Sequence, residues 1–229
     1  GRGELLGYLS DSIDSRSTLL GIDDIEDSIK SAKENYPSID FRREKFIDSL
    51  GFEDNSFDIV ASVDVLECIP NKVALLNEIH RILKPGGKVI FAHWDWDTQV
   101  YSSENKASIR KFIATFSDWQ QDWMETADGQ MGRRLWGLFQ GSGKYKGKIA
   151  SFTLLETKYQ EGKYGFDRLH DLSGLVEAGS IDLVEYERIC NEMRHLSNQN
   201  QYFYSVNSYV YLGEPHNKSL QSGVSKPSS

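Results

Sequence analysis

Cysteine and long apolar runs are both scarce in this chain of 229 residues. Its two cysteines, Cys68 and Cys190, are far apart and lack the spacing of a metal site, which indicates reduced, packed thiols in an intracellular, cytoplasmic protein. The apolar runs are only a few residues long, so we expect no membrane-spanning helix. The first ten residues have the pattern of a glycine loop entering a helix and not of a secretory signal.

Positive charge is also in short supply, because 26 Lys and Arg residues are outnumbered by 34 Asp and Glu residues and the formal net charge is -8. No basic run stands out, which argues against a nucleic-acid partner. The five histidines are scattered and the glycine-rich start lacks the Lys-Ser ending of a P-loop, so we expect neither a metal site nor a phosphate-binding loop. The sequence gives no indication of the oligomeric state. A hydrophobic fraction of 39% is typical of a globular protein.

Predicted strands and helices alternate along the first half of the chain. Short apolar runs predict buried strands at 17–23, 39–47, 57–62 and 88–94. Apolar residues at helical spacing predict one helix after Asp24, its expected cap, and another that ends at the helix breakers of 84–87. This alternation predicts an α/β fold with a Rossmann-like, doubly wound sheet that is mostly parallel.

The second half of the chain is richer in aromatic residues and less regular. Its predicted elements are helices at 104–140, 166–178 and 181–196, and strands at 149–159 and 201–212, the last of them antiparallel. The predicted organisation is one domain at 1–213, with helical insertions at 97–147 and 165–198, and a polar, disordered tail at 214–229. The aromatic richness of the insertions predicts a lid over a ring-bearing ligand.

Two local features have the chemistry of a nucleoside-binding site. Gly1 and Gly3 precede a predicted helix, where glycine lets the backbone approach a ligand closely, although glycine is also common in plain turns. Asp23 follows a predicted buried strand, 20 residues after Gly3, where a carboxylate accepts hydrogen bonds from ribose hydroxyls. The alternative is that Asp23 and Asp24 only cap the next helix. Asp24 suits that role better, which leaves Asp23 for the ribose.

Three further motifs follow in order. They are Phe-Glu-Asp-Asn-Ser-Phe-Asp-Ile-Val at 52–60, Val-Leu-Glu-Cys-Ile-Pro at 65–70 and Glu-Ile-His-Arg-Ile-Leu-Lys-Pro-Gly-Gly at 78–87. Together with the glycine loop, this ordered set resembles the class I S-adenosylmethionine-dependent methyltransferases of the type 11 or UbiE-like group, over about residues 1–95. The resemblance implies S-adenosylmethionine as the methyl donor and S-adenosylhomocysteine as the product.

The same resemblance implies cofactor contacts at matching positions. Gly1 and Gly3 match the end of the loop that wraps the methionine part of the cofactor. Asp23 matches the ribose-binding acid, and Asp24 lies beside the adenine in that comparison. The four positions together form the first part of the expected cofactor site.

Two later positions complete the implied cofactor site. Ile47 falls where a backbone amide meets the adenine ring, and Ser62 falls where the chain passes the methionine ammonium group. Phe46 departs from the family, which usually has an adenine-binding aspartate there; ring stacking is one explanation and a register shift of one residue is another. Because the family's first strand and its acid precede the position of Gly1, we expect an N-terminally truncated chain with an incomplete cofactor site.

The methyl acceptor is expected at the carboxyl end of the strongest predicted strand, in the stretch 93–98. His93 is the candidate catalytic base, or else it orients the loop through local hydrogen bonds; methyl transfer from a sulfonium also needs mainly in-line positioning. The candidate substrate-binding residues are Trp94, Trp96, Arg133 and Arg134. For the two arginines the alternative is ordinary surface charge.

Three functions are compatible with this pattern. The first is transfer of a methyl group from S-adenosylmethionine to an N or O atom of a small, ring-bearing molecule. The second is an NAD(P)-dependent Rossmann oxidoreductase, because a glycine loop followed by an acid also describes that fold. The third is a protein that binds S-adenosylmethionine without catalysis, since a fold does not by itself define an activity. The ordered motifs favour the first.

Overall fold

The computed structural model describes residues 1–46 and 49–216. They divide into two compact units, one from Gly1 to Glu53 and one from Asp54 onward, and each unit is described by itself. Ile47 and residues 217–229, most of the predicted tail, lie outside the described residues. The organisation as one domain with two insertions stays a prediction.

The first unit is a parallel pair of strands with two helices. Its elements are α1 (Glu4–Ser10), β1 (Leu20–Asp23), α2 (Glu26–Asn35) and β2 (Asp40–Arg43). The strands pair in parallel from Leu20 opposite Asp40 to Asp23 opposite Arg43. A small core is formed by Ile29, Ala32, Ile39 and Phe41. Both strands are shorter than predicted, because only four residues of each find a partner.

The start of α2 differs from its prediction. The N-cap residue is Ile25, and no side chain caps the helix. Instead, the backbone N–H of Ile25 donates to Oδ1 of Asp23 at 2.9 Å. The prediction that Asp24 is the cap is therefore wrong, because the Asp23 side chain reaches the amide two residues ahead in an Asx-type turn.

The second unit contains a four-stranded mixed sheet with helices packed around it. Its elements are β3 (Phe57–Val63), a 3-10 turn (Leu66–Cys68), α3 (Lys72–Ile82), β4 (Leu83–Tyr101), α4 (Lys106–Ser117), α5 (Met131–Ser142), β5 (Tyr145–Glu156), α6 (Tyr164–Asp171), α7 (Ser173–Glu177), α8 (Leu183–Asn198) and β6 (Tyr204–Pro215). The strand order is β3-β4-β6-β5.

Strand direction in this sheet follows the sequence prediction. β3 and β4 are parallel, with Ser62 opposite Phe91. The last strand, β6, runs antiparallel to both of its neighbours, β4 and β5. The predicted α/β class with parallel strand pairs and an antiparallel last strand is confirmed.

β4 is much longer than the predicted strand at 88–94. It begins at Leu83, directly after α3, and continues to Tyr101. The extension is set by tertiary pairing, because Leu83 finds a partner in β3 and Tyr101 finds one in β6. Gly86 lies inside this extension with a left-handed φ of 78°, which explains why a helix breaker stands there.

The predicted helix at 104–140 is interrupted. α4 ends at Ser117 and α5 begins only at Met131, so the prediction is wrong for the residues between them. This segment returns to the sheet, where the carbonyl of Gly129 accepts a hydrogen bond from the Trp96 N–H at 2.7 Å. Gly129 also passes so close to Ser117 that a Cβ would lie 2.2 Å from the Ser117 carbonyl oxygen.

A large buried cluster of the second unit lies between its sheet and helices α4, α6 and α8. It contains Trp94, Trp96, Tyr101, Ile109, Phe112, Tyr159, Leu169, Leu172, Ile181, Ile189, Met193, Tyr202, Tyr204 and Val206. Within the described part of the chain, no helix combines the length and the hydropathy needed to cross a membrane.

Candidate active site

The predicted glycine loop and ribose acid lie together in the first unit. Gly3 precedes α1 with a left-handed φ of 85°, a conformation that other residues rarely adopt. A Cβ on Gly3 would also lie 2.8 Å from the Phe41 ring. Asp23 ends β1 in the same unit. Glycine is therefore required at position 3.

The chemistry of these residues fits a nucleoside. The Asp23 side chain is 21% exposed, and a carboxylate in that position accepts hydrogen bonds from ribose hydroxyls. Asp24 is exposed beside it, and its carbonyl oxygen accepts a hydrogen bond from Arg43 Nε at 3.0 Å. Phe46 is half-buried, while the adenine contact expected at Ile47 falls outside the described residues.

In the second unit, the chain turns sharply directly after β3. Ser62 is half-buried near the end of that strand, and Asp64 follows with a left-handed φ of 54°. The Asp64 N–H donates to the Ala92 carbonyl at 3.0 Å. Its Oδ1 in turn accepts a hydrogen bond from the Trp94 N–H at 3.0 Å. The backbone of β4 thus fixes the Asp64 carboxylate in place.

His93 on β4 is a buried imidazole. Burial lowers its pKa, and the charge of Asp64, whose Oδ1 lies 3.5 Å from Nδ1, opposes that effect. Nδ1 lies 3.0 Å from the Trp94 carbonyl oxygen, which can only accept, so Nδ1 carries a proton; in the neutral ring, which burial favours, Nε2 carries the lone pair. In the described ranges this buried Nε2 has no hydrogen-bond partner. The ring is therefore able to accept a hydrogen bond or a proton.

Glu67, on the 3-10 turn after β3, is a half-buried carboxyl with a perturbed pKa. Burial, and after it the charge of Asp64, raise the pKa of Glu67 to about 7. The charge of Asp128 acts in the same direction, while Lys72 and a contact with the Trp96 indole oppose the rise. A carboxyl that is partly protonated near neutral pH is suited to proton transfer.

Aromatic rings lie next to these carboxyl groups. Trp94 and Trp96 are each only 8% exposed. Trp94 packs on Phe152 and Tyr164, with ring centres 5.6 and 5.1 Å apart. The Arg168 guanidinium lies 5.6 Å from the Trp96 ring and 5.8 Å from the Tyr164 ring. The accessible ring surface therefore belongs mainly to Phe152, which is 50% exposed, and Tyr164, which is 36% exposed.

Both predicted substrate-binding arginines lie on α5 and already have carboxylate partners. Arg133 Nη2 donates to Oδ1 of the fully buried Asp95 at 2.7 Å. Arg134 Nη1 donates to Asp128 Oδ2 at 3.0 Å. Together with Lys72 they line an open groove of about 470 Å³. Because both guanidinium groups are already paired with carboxylates, an anionic substrate would have to compete with Asp95 and Asp128 for them.

Sequence reasoning missed Asp64, and it quoted Glu67 in a motif without a role. The signal was present, because an acid directly after a buried parallel strand is the argument that singled out Asp23. Tyr164 and Arg168 carried no comparable signal. They reach Trp94 and Trp96 only because α6 packs against the sheet.

Comparison with known proteins agrees with this architecture. Residues 1–91 match the methyltransferase domain family (Methyltransf_11). A demethylmenaquinone methyltransferase from Staphylococcus epidermidis is 30% identical over 156 residues, which covers 63% of this chain and 65% of that protein. An uncharacterised 37.1 kDa transposon protein from Streptomyces fradiae is 23% identical over 217 residues, which covers 93% of this chain and 60% of that protein. The chain thus spans less than two thirds of the length of these relatives.

Solved structures show the same fold. The YcgJ protein of Bacillus subtilis superposes with a TM-score of 0.56 at 14% identity, covering 93% of this chain and 87% of that one. An S-adenosylmethionine-dependent methyltransferase from Methanosarcina mazei gives a TM-score of 0.53 at 14% identity, with coverage of 93% and 87%. The fold is therefore the Rossmann-like fold of methyltransferases. Residues 1–91 are thus similar to a methyltransferase domain, and together with the fold this match supports a class I S-adenosylmethionine-dependent methyltransferase with S-adenosylmethionine as its cofactor.

Proposed function

We propose that this chain transfers a methyl group from S-adenosylmethionine to an N or O atom of a small, ring-bearing molecule. The observation that carries the proposal is the left-handed φ of Gly3 at the start of α1, in the same unit as Asp23 at the carboxyl end of β1. A nucleoside cofactor needs this combination of close backbone approach and a ribose-binding acid. Asp24 and Ser62 remain the proposed contacts to the adenine and to the methionine ammonium group, and Ile47 remains proposed from the sequence alone.

Support for a small, ring-bearing acceptor comes from the second unit. Trp94 and Trp96 are buried beneath Phe152 and Tyr164, whose exposed rings offer a face on which a flat molecule could stack. His93 remains the proposed catalytic base, and in the described part of the chain its Nε2 has no hydrogen-bond partner.

Arg133 and Arg134 remain proposed substrate contacts with a restricted role. Their ion pairs with Asp95 and Asp128 leave the open groove of α5 without net positive charge from these residues. A substrate group there is expected to form hydrogen bonds to the outer guanidinium nitrogens, and we expect no strong preference for anions.

The cofactor is tested by calorimetric titration of the full chain with S-adenosylmethionine, S-adenosylhomocysteine and NAD. Binding of the first two and not of NAD is expected. Asp23→Asn should weaken S-adenosylhomocysteine binding by about tenfold, the value of one charge-assisted hydrogen bond. Asp27→Asn, an exposed acid in the first turn of α2, is the matched control and should bind normally. Preference for NAD would overturn the proposal in favour of an oxidoreductase.

Turnover is tested with S-adenosylmethionine labelled in its methyl group and a panel of ring-bearing amines and phenols. Label transfer to a member of the panel is the expected result. Cofactor binding without transfer to any acceptor would instead support a protein that binds S-adenosylmethionine without catalysis.

A further inference from the structure

The edge strand β5 is open to solvent along most of its length. In the described part of the chain its only paired neighbour is β6, so β5 forms one edge of the four-stranded sheet. Residues 146–153 are exposed, and among the large apolar side chains Ile149 is 37%, Phe152 50% and Leu155 61% exposed. Soluble proteins usually keep such an edge short, charged or covered, because its free backbone groups pair readily with another strand.

The sequence of β5 lacks the usual protections of an edge strand. The stretch 149–155, Ile-Ala-Ser-Phe-Thr-Leu-Leu, contains no charged residue, no proline and no glycine. The strand pairs with β6 from Tyr145 to Glu156 without a register shift, so no bulge interrupts the edge. An uncharged, unbroken stretch of this length is typical of segments that pair with copies of themselves.

Alternate residues of β5 direct their backbone groups away from the sheet. The His216 N–H donates to the Lys144 carbonyl oxygen at 2.7 Å. The Lys146 carbonyl oxygen likewise faces β6, 3.0 Å from where a Cβ of Gly213 would lie. Because bonded and non-bonded pairs alternate in an antiparallel ladder, the even-numbered residues of β5 bond to β6. The odd-numbered residues from Gly147 to Leu155 point outward, and among the described residues their backbone groups bond to no other segment.

The two ends of the exposed stretch carry opposite charges that the chain leaves unpaired. Lys148 is exposed near the start of β5 and Glu156 ends the strand, and neither forms an ion pair within the described residues. By contrast, Lys146 is paired with Glu214 of β6. The Glu156 carboxylate is fixed in place, because its Oε1 accepts from the Tyr164 N–H at 3.0 Å. One strand therefore presents both halves of a salt bridge.

We propose that β5 pairs with the β5 strand of a second copy of this chain, antiparallel about a two-fold axis at Phe152. In this register Lys148 lies opposite the partner's Glu156, Ile149 lies opposite the partner's Leu155, and Ser151 lies opposite the partner's Thr153. Each of these pairs occurs twice. Opposite charges, aliphatic side chains and hydroxyl groups are all favourable cross-strand pairs.

The backbone fits the same register. The odd-numbered residues become the hydrogen-bonded pairs, which gives about eight new backbone hydrogen bonds and satisfies the outward groups of β5. Phe152 meets the partner's Phe152 in a non-bonded pair, where opposite side chains lie closest. Its ring centre lies 5.6 Å from that of Trp94, so the partner's ring extends an existing aromatic row.

Two-fold symmetry also fixes the size of the assembly. Both β5 edges are used in one contact, so the assembly closes at two copies and does not continue as a fibre. The inference concerns the edge of the sheet and does not depend on the proposed methyl transfer.

The inference is tested on the full chain by sedimentation equilibrium and by hydrogen exchange followed by NMR. We expect a species of twice the mass of one chain. In it the amides of Ile149, Ser151 and Thr153 should exchange slowly, and dilution should make them exchange fast. The amides of Lys148 and Ala150, which bond to β6, should stay protected at both concentrations. This alternation identifies the edge, because a change in overall stability would affect both sets.

Two substitutions should separate the copies. Ser151→Pro removes an outward N–H and leaves the bonds to β6 intact, as proline does on an edge strand. It should weaken self-association by about a hundredfold, because the loss occurs twice. Ser151→Val keeps the N–H and is its control. Lys148→Glu places like charges opposite the partner's Glu156 and should weaken self-association by about tenfold. Lys30→Glu, at an exposed position of α2, makes the same change of net charge and should have no effect.

Each other outcome overturns the inference. A single-copy chain whose odd-numbered amides exchange fast would show that the edge stays free. A single-copy chain whose odd-numbered amides are protected would show that another segment of the chain covers β5. Two copies that Ser151→Pro and Lys148→Glu leave intact would place the contact on a different surface.

Discussion

Replacing Glu67 by glutamine should stabilise the second unit, and it should do so at high pH more than at low pH. The side chain is half-buried and faces the charges of Asp64 and Asp128, which Lys72 and the Trp96 indole oppose. Ionised Glu67 is therefore a cost to the native state. Glutamine fills the same space, still accepts from the indole and carries no charge.

The magnitude follows from the pKa of Glu67, which the fold raises from 4.5 to about 7. Below the lower value the carboxyl is protonated in the folded and unfolded chains alike and contributes nothing. Above the higher value it is ionised in both, and the folded state bears the full penalty, about 1.4 kcal/mol for each pH decade between the two values. Stability is thus lost as pH rises through this window. Allowing for the partial exposure of Glu67, we expect the gain in free energy of unfolding from Glu67→Gln to be about 2 kcal/mol larger at about pH 8 than at about pH 5.

Urea denaturation followed by tryptophan fluorescence is a suitable assay, because all five tryptophans, at positions 94, 96, 119, 123 and 136, lie in the second unit. The free energy of unfolding of the wild type, Glu67→Gln and Glu187→Gln is compared at both pH values. Glu187→Gln, at an exposed acid on α8, is the control and should track the wild type. The pKa of Asp64 is also raised, which lowers stability at high pH in every variant. The difference between Glu67→Gln and the wild type therefore reports on Glu67 and on its repulsion from Asp64.

A stability gain for Glu67→Gln that is equal at the two pH values would refute the reasoning, since it would assign the effect to packing. The absence of any gain at the higher pH would refute it as well, because the native state would then tolerate the ionised carboxyl without cost.

Two further substitutions test how the second unit positions its site. Arg133→Gln should lower the free energy of unfolding by about 3 kcal/mol in the same urea assay, because it leaves the fully buried Asp95 without its arginine. A loss below about 1 kcal/mol would show that Asp95 finds another partner. Gly132→Ala should cost about 1–3 kcal/mol, because its Cβ would lie 2.9 Å from the carbonyl oxygens of His93 and Trp94 and push α5 away from β4; an unchanged unfolding curve would contradict that packing.

Much of the first half of the fold is predictable from local sequence. β1, α2, β3 and α3 follow from apolar periodicity, because each buries one face or one short run. The length of β4 is not predictable in this way, since its ends are defined by pairing with β3 and β6, which are distant in sequence. The break between α4 and α5 depends on the contact of Gly129 with Ser117 and Trp96, which is again a tertiary constraint.

Local conformation was predictable where one residue type defines it: Gly3 has a left-handed φ before α1, and Asp23 ends β1. Their cofactor contacts stay predictions. The pKa of Glu67 was not predictable, because a glutamate in a short turn is usually solvated, and only burial beside Asp64 changes its pKa. The partners of Arg133 and Arg134 were also unpredictable, since Asp95 and Asp128 approach α5 only in the folded unit.

The cost of ionised Glu67 reflects the pairing of its neighbours as well as burial. Within the described residues, arginine pairs the buried carboxylates Asp95 and Glu78, whereas no Lys or Arg nitrogen lies within 4.0 Å of the Asp64 or Glu67 carboxylate. The charge of Asp64 therefore adds to burial and raises the pKa of Glu67 further. Stability and pH are linked through this carboxyl, and Glu67→Gln removes its part of that linkage.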